Sequence, residues 1–401
     1  MKLDPLKPLL DHDGPLTTVC LDVSHADEGG DREVRSRWNG LRRTLEQQGA
    51  PAATLDALAD VLLRQTHVPG PHGRFVIASQ DRILFDRVLA DAPLRDTASH
   101  GGVPAFMPAA RAADEAVAYL LVEVDRSGAD LFWSGTDAGA TSTDTVEGGH
   151  DELRKTKGGG GGGWRRGRVQ NRAEDSWERN AEVVAAQLVK AVAEHHPEIV
   201  LLTGDVRATA LVLEEVGRPT ADLIVEVPGG SRADGVKEGV FAQNVHEVLE
   251  AYRARRREAT VDRLREGLGR GDSGVTDLGD VVDVLRRGQV EELVIVEDAA
   301  GAPAAQLEER LLWVGPDPLQ IAVRKGELAS LGVEDGVAHQ LPAGVALLRA
   351  AVAQDAGVTF TLEGSIDLVG GVGAILRWSD SATPHETAPS YTGDIHRRSH
   401  H

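Results

Sequence analysis

Between Lys155 and Arg172 the sequence reads KTKGGGGGGWRRGRVQNR, with six consecutive glycines from Gly158 to Gly163. From Arg154 to Arg172 it carries seven cationic side chains and no acidic one. Cations attract phosphates, glycine lets the backbone approach a ligand closely, and an indole face stacks on bases. The candidate RNA-contacting residues are therefore Lys155, Lys157, Gly160, Gly161, Gly162, Gly163, Trp164, Arg165, Arg166, Arg168 and Arg172. Arg165, Arg168 and Arg172 recur at helical spacing, which predicts a glycine tip on a basic helical stalk. The plain alternative is a solvated linker, since long loops are either functional or disordered.

Other chemistries find less support. A polyglycine run satisfies G-x-G-x-x-G trivially, and no strand is read before it. No Lys-Ser/Thr pair follows Gly163, so neither a dinucleotide site nor a P-loop is expected. Gly204 and Asp205 stand at a strand-to-helix junction, where Asp is explained as an N-cap. PGGSRADG, from Pro228 to Gly235, reads as turn chemistry rather than an anion nest. His195, His196 and the tail residues His396, His400 and His401 lack ligand spacing, so no metal is expected. No nucleophile elbow selects a Ser/His/Asp set, and no catalytic residue or cofactor is assigned. The single cysteine, Cys20, leaves no disulfide framework.

The whole-chain charge of −20 disfavours general polyanion binding, which confines such binding to the one basic tip. The proline- and aspartate-broken N-terminus offers no signal-peptide core, and the apolar runs are too short to span a bilayer. The expected location is the cytoplasm, with neither a membrane nor DNA as partner.

The elements that must carry the tip follow from periodicity. LTTVCLDV (16–23) predicts a buried strand. Val34, Trp38, Leu41 and Leu45 mark a helix face that Gly49 closes. A second helix is expected over 54–65 and a two-stranded hairpin in GRFVIASQDRILFDRVL. A further hairpin turns at 125–128, after which a polar segment, 136–163, leaves the sheet. Trp177, Ala181, Val184, Leu188 and Val192 then line one face of a long helix. Strands at EIVLLTG and ADLIVEV follow, and a connecting helix covers 251–267. Helix–Gly–strand patterns ending at Gly288 and near Gly357 argue for an α/β/α sandwich. The expectation is an α/β protein of three domains: 1–112, 113–255 with a basic glycine-rich loop over 136–172, and 256–378. A disordered tail, 379–401, completes the chain.

The basic loop and the three-part plan around it, over about residues 113–378, resemble class-I release factors of archaea and eukaryotes. The family's middle domain projects a basic, G-x-G-G-Q loop followed by an arginine-bearing helix. Gly160 to Gly163 followed by Trp164 occupies that register, Arg168 matches the first helix arginine, and Arg172 is displaced by one position. The resemblance implies an RNase H-like middle domain, and a C-terminal α/β/α sandwich like kink-turn-binding ribosomal proteins. The family's glutamine, which orders the attacking water at the peptidyl-tRNA ester, is Trp164 here. Indole offers a donor and no acceptor, and the first domain has no Asn-Ile-Lys-Ser stop-codon motif. The likeness therefore points to bacterial release-factor/Pelota-like proteins of the Balon hibernation type. Such a factor binds the ribosomal A site, under stress or stalling, without stop-codon-dependent release. It also implies a translational GTPase as partner. Two alternatives stand beside it: a peptidyl-tRNA hydrolase acting in ribosome rescue through the glycine loop, and a stand-alone α/β protein with a linker loop.

Overall fold

The computed structural model describes residues 3–10, 14–24, 30–64, 66, 71–93, 95–101, 105–135, 141–148, 163–232, 238–298, 303, 307 and 309–384. The architecture is mixed α/β, as expected, and divides into two compact units. One comprises Met1–Gly14, Val103–Asp114 and Ala254–His401; the other comprises Pro15–Gly102 and Glu115–Arg253. The sequence reads 1–112 as one segment, whereas its two ends fall in the unit of the C-terminal sheet.

In chain order, helix α1 (Lys7–Leu10) precedes strand β1 (Leu16–Asp22), α2 (Gly30–Gln47), α3 (Ala52–Leu62), β2 (Gly73–Ser79), β3 (Arg82–Val88) and β4 (Thr97–Gly101). The four strands form an antiparallel sheet in the order β3-β2-β1-β4. Val34, Trp38 and Leu45 of α2 are buried with Leu55, Leu58 and Leu62 of α3 against β1 and β2. That is the helix face read from the sequence. Gly49 ends α2 in the left-handed region at φ +86°, where a side chain would be strained.

Helix α4 (Phe106–Glu115) leads to β5 (Tyr119–Val124), β6 (Gly128–Ser134) and β7 (Thr141–Glu147), a three-stranded meander. Helix α5 (Gly163–His195) returns to β8 (Ile199–Gly204), and α6 (Val206–Glu215) and α7 (Arg218–Ala221) precede β9 (Ile224–Glu226). The sheet order is β7-β6-β5-β8-β9, with β8 and β9 parallel to β5. Leu120, Val122 and Val124 face Ala181, Val184, Ala185 and Leu188 of α5. Tyr119 and Leu121 face Phe241, Val245 and Leu249 at the start of α8 (Glu238–Arg270). Burial on both faces is why β5 and β8 are apolar runs rather than alternating ones.

Two expectations need correction here. The polar segment expected to leave the sheet over 136–163 instead contributes β7, an edge strand of TSTDTVE. Its β-branched Thr and Val favour extended backbone without apolar alternation. The connecting helix is also longer than expected, 238–270 rather than 251–267, and the unit boundary falls inside it.

The remaining unit continues with β10 (Gly274–Thr276), α9 (Leu278–Arg286), β11 (Val290–Glu297), β12 (Leu311–Val314), β13 (Ile321–Ala322) and α10 (Lys325–Ser330). It ends with β14 (His339–Pro342), α11 (Ala343–Ala353), β15 (Gly357–Leu362) and β16 (Val372–Leu376). One sheet runs β10-β16-β11-β15, with β11 and β15 parallel, and a small one runs β13-β12-β14. Gly288 stops α9 at φ +68°, as expected. After α11 the left-handed residue is Asp355, at φ +58°, and not a glycine. Asp355 tolerates that region because Asp is among the few non-glycine residues enriched there.

Asp114 explains why α4 belongs to this unit. Its Oδ2 accepts the backbone N–H of Phe360 on edge strand β15, at 3.1 Å. An otherwise open edge amide is thereby satisfied. Residues 379–384, read as the start of the tail, are also held: the buried Thr383 hydroxyl accepts from Gln289 Nε2 at 2.8 Å. His396, His400 and His401 lie outside the described residues. Cys20 is half-buried, and burial pushes its thiol up to about 11. Among the described residues no helix is long and apolar enough to cross a membrane.

Candidate nucleic-acid interface

Of the candidate RNA-contacting residues, Lys155, Lys157, Gly160, Gly161 and Gly162 lie outside the described residues. Gly163 is the first residue of α5, and Trp164, Arg165, Arg166, Arg168 and Arg172 occupy its first three turns. The stalk is therefore helical from the last glycine onward, and the segment expected as loop over 136–172 ends there. Positions 165, 168 and 172 share one register of the helix, as their spacing of three and four requires.

What holds this stalk is the β5–β6 turn, Asp125–Gly128. Asp125 Oδ1 accepts from the backbone N–H of Ser127 at 2.7 Å and of Gly128 at 2.9 Å. Burial pushes this carboxyl up, but the Ser127 and Gly128 bonds and the nearby Arg232 charge hold it below the usual range. Arg126 extends over one side of the Trp177 indole, 4.4 Å from its centroid, while Arg207 sits 5.0 Å from the same centroid. Arg126 also pairs with Asp205 at 3.1 Å. Asp205 caps α6 as its residue type suggested, accepting from Arg207 N at 3.0 Å and Ala208 N at 3.1 Å. Asn180, one turn beyond Trp177, is buried and donates from Nδ2 to the Arg126 carbonyl at 3.0 Å.

Arg232 closes the other side. It bonds Asp130 at 2.9 Å, Glu147 at 2.9 Å, Asp125 at 3.0 Å and the Ser127 hydroxyl at 3.2 Å. Burial works against its charge, yet these carboxylates raise its pKa and keep it cationic. Glu123, paired across the sheet with Asp130, is pushed up by burial and by the Asp130 charge. From sequence, 228–235 reads as a turn only and Trp177 as core. Neither spacing nor composition signals that Arg232 meets carboxylates some hundred residues away.

Among the described residues no group of three His, Cys, Asp or Glu side chains is placed to hold a metal. A cavity of about 850 Å³ beside α9 is lined by five carboxylates against three guanidiniums. Arg286, one of those three, is bound to Asp283 and Glu327. Such a surface repels phosphate, which leaves the loop and stalk as the candidate interface.

Residues 118–270 match the family described as bacterial archaeo-eukaryotic release factor family 2. Over that span the chain is similar to this release-factor-like family. An uncharacterized protein of Mycobacterium tuberculosis, present in strains CDC 1551 and H37Rv, is 25% identical over 385 residues, covering 94% of this chain and 97% of the relative. Among solved structures, ribosome-bound archaeal Pelota, described with ABCE1, is 12% identical with a TM-score of 0.40 and 92% of each chain covered. Archaeoglobus fulgidus Pelota is 13% identical with a TM-score of 0.35, covering 79% of this chain and 82% of its own. Saccharomyces cerevisiae Dom34, described as a translation termination-like factor interacting with Hbs1, is 9% identical. Its TM-score is 0.37, with 78% and 83% covered.

Proposed function

We propose that this chain is a ribosome-associated factor that occupies the A site of a resting or stalled ribosome without stop-codon-dependent peptide release. The family match over 118–270 carries the reading, because that span contains the glycine loop and its stalk. Lys155, Lys157, Arg165, Arg166, Arg168 and Arg172 contact rRNA phosphates, and Trp164 stacks on a base. Trp164 stands in the register of the family's water-ordering glutamine, and a donor-only indole cannot accept from that water. A translational GTPase delivers the factor, on the strength of the family resemblance. The three-domain division at 112 and 255 belongs to the same proposal; it is supported by the separate sheets over 16–101, 119–226 and 274–376.

Co-sedimentation with ribosomes across a salt series tests this. Wild type pellets at low salt, and its log affinity falls steeply with log salt. Changing Arg165, Arg166 and Arg168 to Ala flattens that slope by about 0.7–0.9 for each phosphate no longer neutralised. No association at low salt, or an unchanged slope in the triple variant, sinks the reading. A peptide-release assay on loaded ribosomes separates the hydrolase alternative. Binding without release is expected, whereas release lost on mutating Gly162 or Gly163 would make the chain a hydrolase.

A further inference from the structure

Described residues on either side of the glycine loop, Glu147 and Gly148 before it and Trp177 and Asn180 after it, converge on a single four-residue turn. Glu147, the last residue of β7, pairs with Gly128 in the ladder. Gly148 donates its backbone N–H to the Ser127 carbonyl at 2.7 Å. Trp177 and Asn180, on the returning stalk, hold Arg126 by its guanidinium and its carbonyl. Arg232 completes the set through Asp125. Each residue of Asp125–Gly128 is thus gripped by a different neighbour.

Two glycines outside the polyglycine run make this approach possible. A Cβ on Gly128 would lie 1.9 Å from the Val146 carbonyl oxygen. One on Gly148 would lie 2.1 Å from both Cγ and Oδ1 of Asn180. Asn180 is only 2% exposed, and its Oδ1 has no hydrogen-bond partner among the described residues; the same holds for Trp177 Nε1. A buried amide of this kind, half satisfied and in direct contact with one glycine, is held by shape rather than by a full set of bonds.

The geometry points to Asn180 as a positioning residue, keyed to Gly148, that sets where the chain leaves the sheet at the root of the glycine loop. The functional half of this inference rests on the ribosome-binding reading; the structural half does not. A preset departure point lowers the ordering cost of binding, because the loop's root has no orientations to lose.

The test is a double-mutant cycle on the full chain, with Gly148→Ala, Asn180→Ala and the pair. Hydrogen exchange of the Ser127, Gly128 and Gly148 amides is followed in the free protein, and ribosome affinity in parallel, well below the melting temperature. Each single variant is expected to speed exchange and weaken ribosome binding by about tenfold, within the range of coupled neighbours. The double variant does no more than either single one, and the salt slope is unchanged because every cation remains. Multiplicative effects in the double variant, or wild-type exchange in both single ones, would overturn the inference. Faster exchange with unaltered ribosome affinity would overturn its functional half. Should Gly148→Ala fail to fold, Asn180→Ala carries both measurements alone. If wild type does not bind ribosomes, the function reading fails while the exchange cycle still decides the clasp.

Discussion

Asp114 shows how much one side chain can decide in this chain. It is buried, and it accepts the Phe360 amide of an edge strand. Burial is the main cause that raises its carboxyl pKa, offset in part by that bond and by Arg256. A raised acid binds its proton more tightly in the folded state. Its contribution therefore makes stability fall as pH rises from the unfolded value of about 4 through the raised folded value. Asp114→Asn, which keeps an acceptor and drops the charge, should flatten that slope and be the more stable form at neutral pH. Asp114→Ala, leaving the Phe360 amide unpaired, should be less stable than Asp114→Asn by about 1–3 kcal/mol at every pH. Urea midpoints across a pH series read both outcomes. None of this was legible in the sequence, because the pair is separated by 246 positions. Asp205 is the opposite case: its role as a cap follows from its own type and its two neighbours.

Single elements were legible where burial imposes a period. α2 and α5 carry the apolar spacings from which they were read, since one helix face must meet a sheet. β7 escaped because an edge strand needs no apolar face, and its Thr-rich sequence resembles a loop. β9 came out shorter than ADLIVEV suggested because Arg218–Ala221 is already helical. At the β8–α6 junction, Gly204 has φ +133°, and a Cβ there would lie 1.9 Å from the Val124 carbonyl oxygen. Gly204→Ala should therefore distort the junction and cost more than Asp205→Ala. The latter loses two cap bonds and should cost about 0.5–2 kcal/mol. Thermal or urea unfolding of the two variants ranks them, and the reverse order would contradict the junction geometry.

Over the whole molecule, charge is segregated rather than balanced. The net charge is −20, yet the run from Arg154 to Arg172 holds seven cations and no acid. That division was plain from the sequence, whereas the interleaving of two units was not, because it depends on pairings between distant segments. Ribosome affinity should consequently respond to loop charge far more than to charge elsewhere. Reversing exposed carboxylates of the cavity beside α9, for example Glu309→Lys, should change the salt slope by less than the value of one neutralised phosphate, about 0.7. The clasp at Gly148 also acts as a ruler. Asn180 sits against Gly148, and α5 begins at Gly163, so the helix start stands about 25 Å along the stalk from the root, at 1.5 Å per residue. The fifteen peptide steps from Gly148 to Gly163 extend at most about 50 Å. Up to about seven residues could be deleted with closure still possible, and further deletion must unwind the first turn of α5. A graded deletion series, followed by far-UV ellipticity and ribosome affinity together, would show whether reach is lost before the helix is.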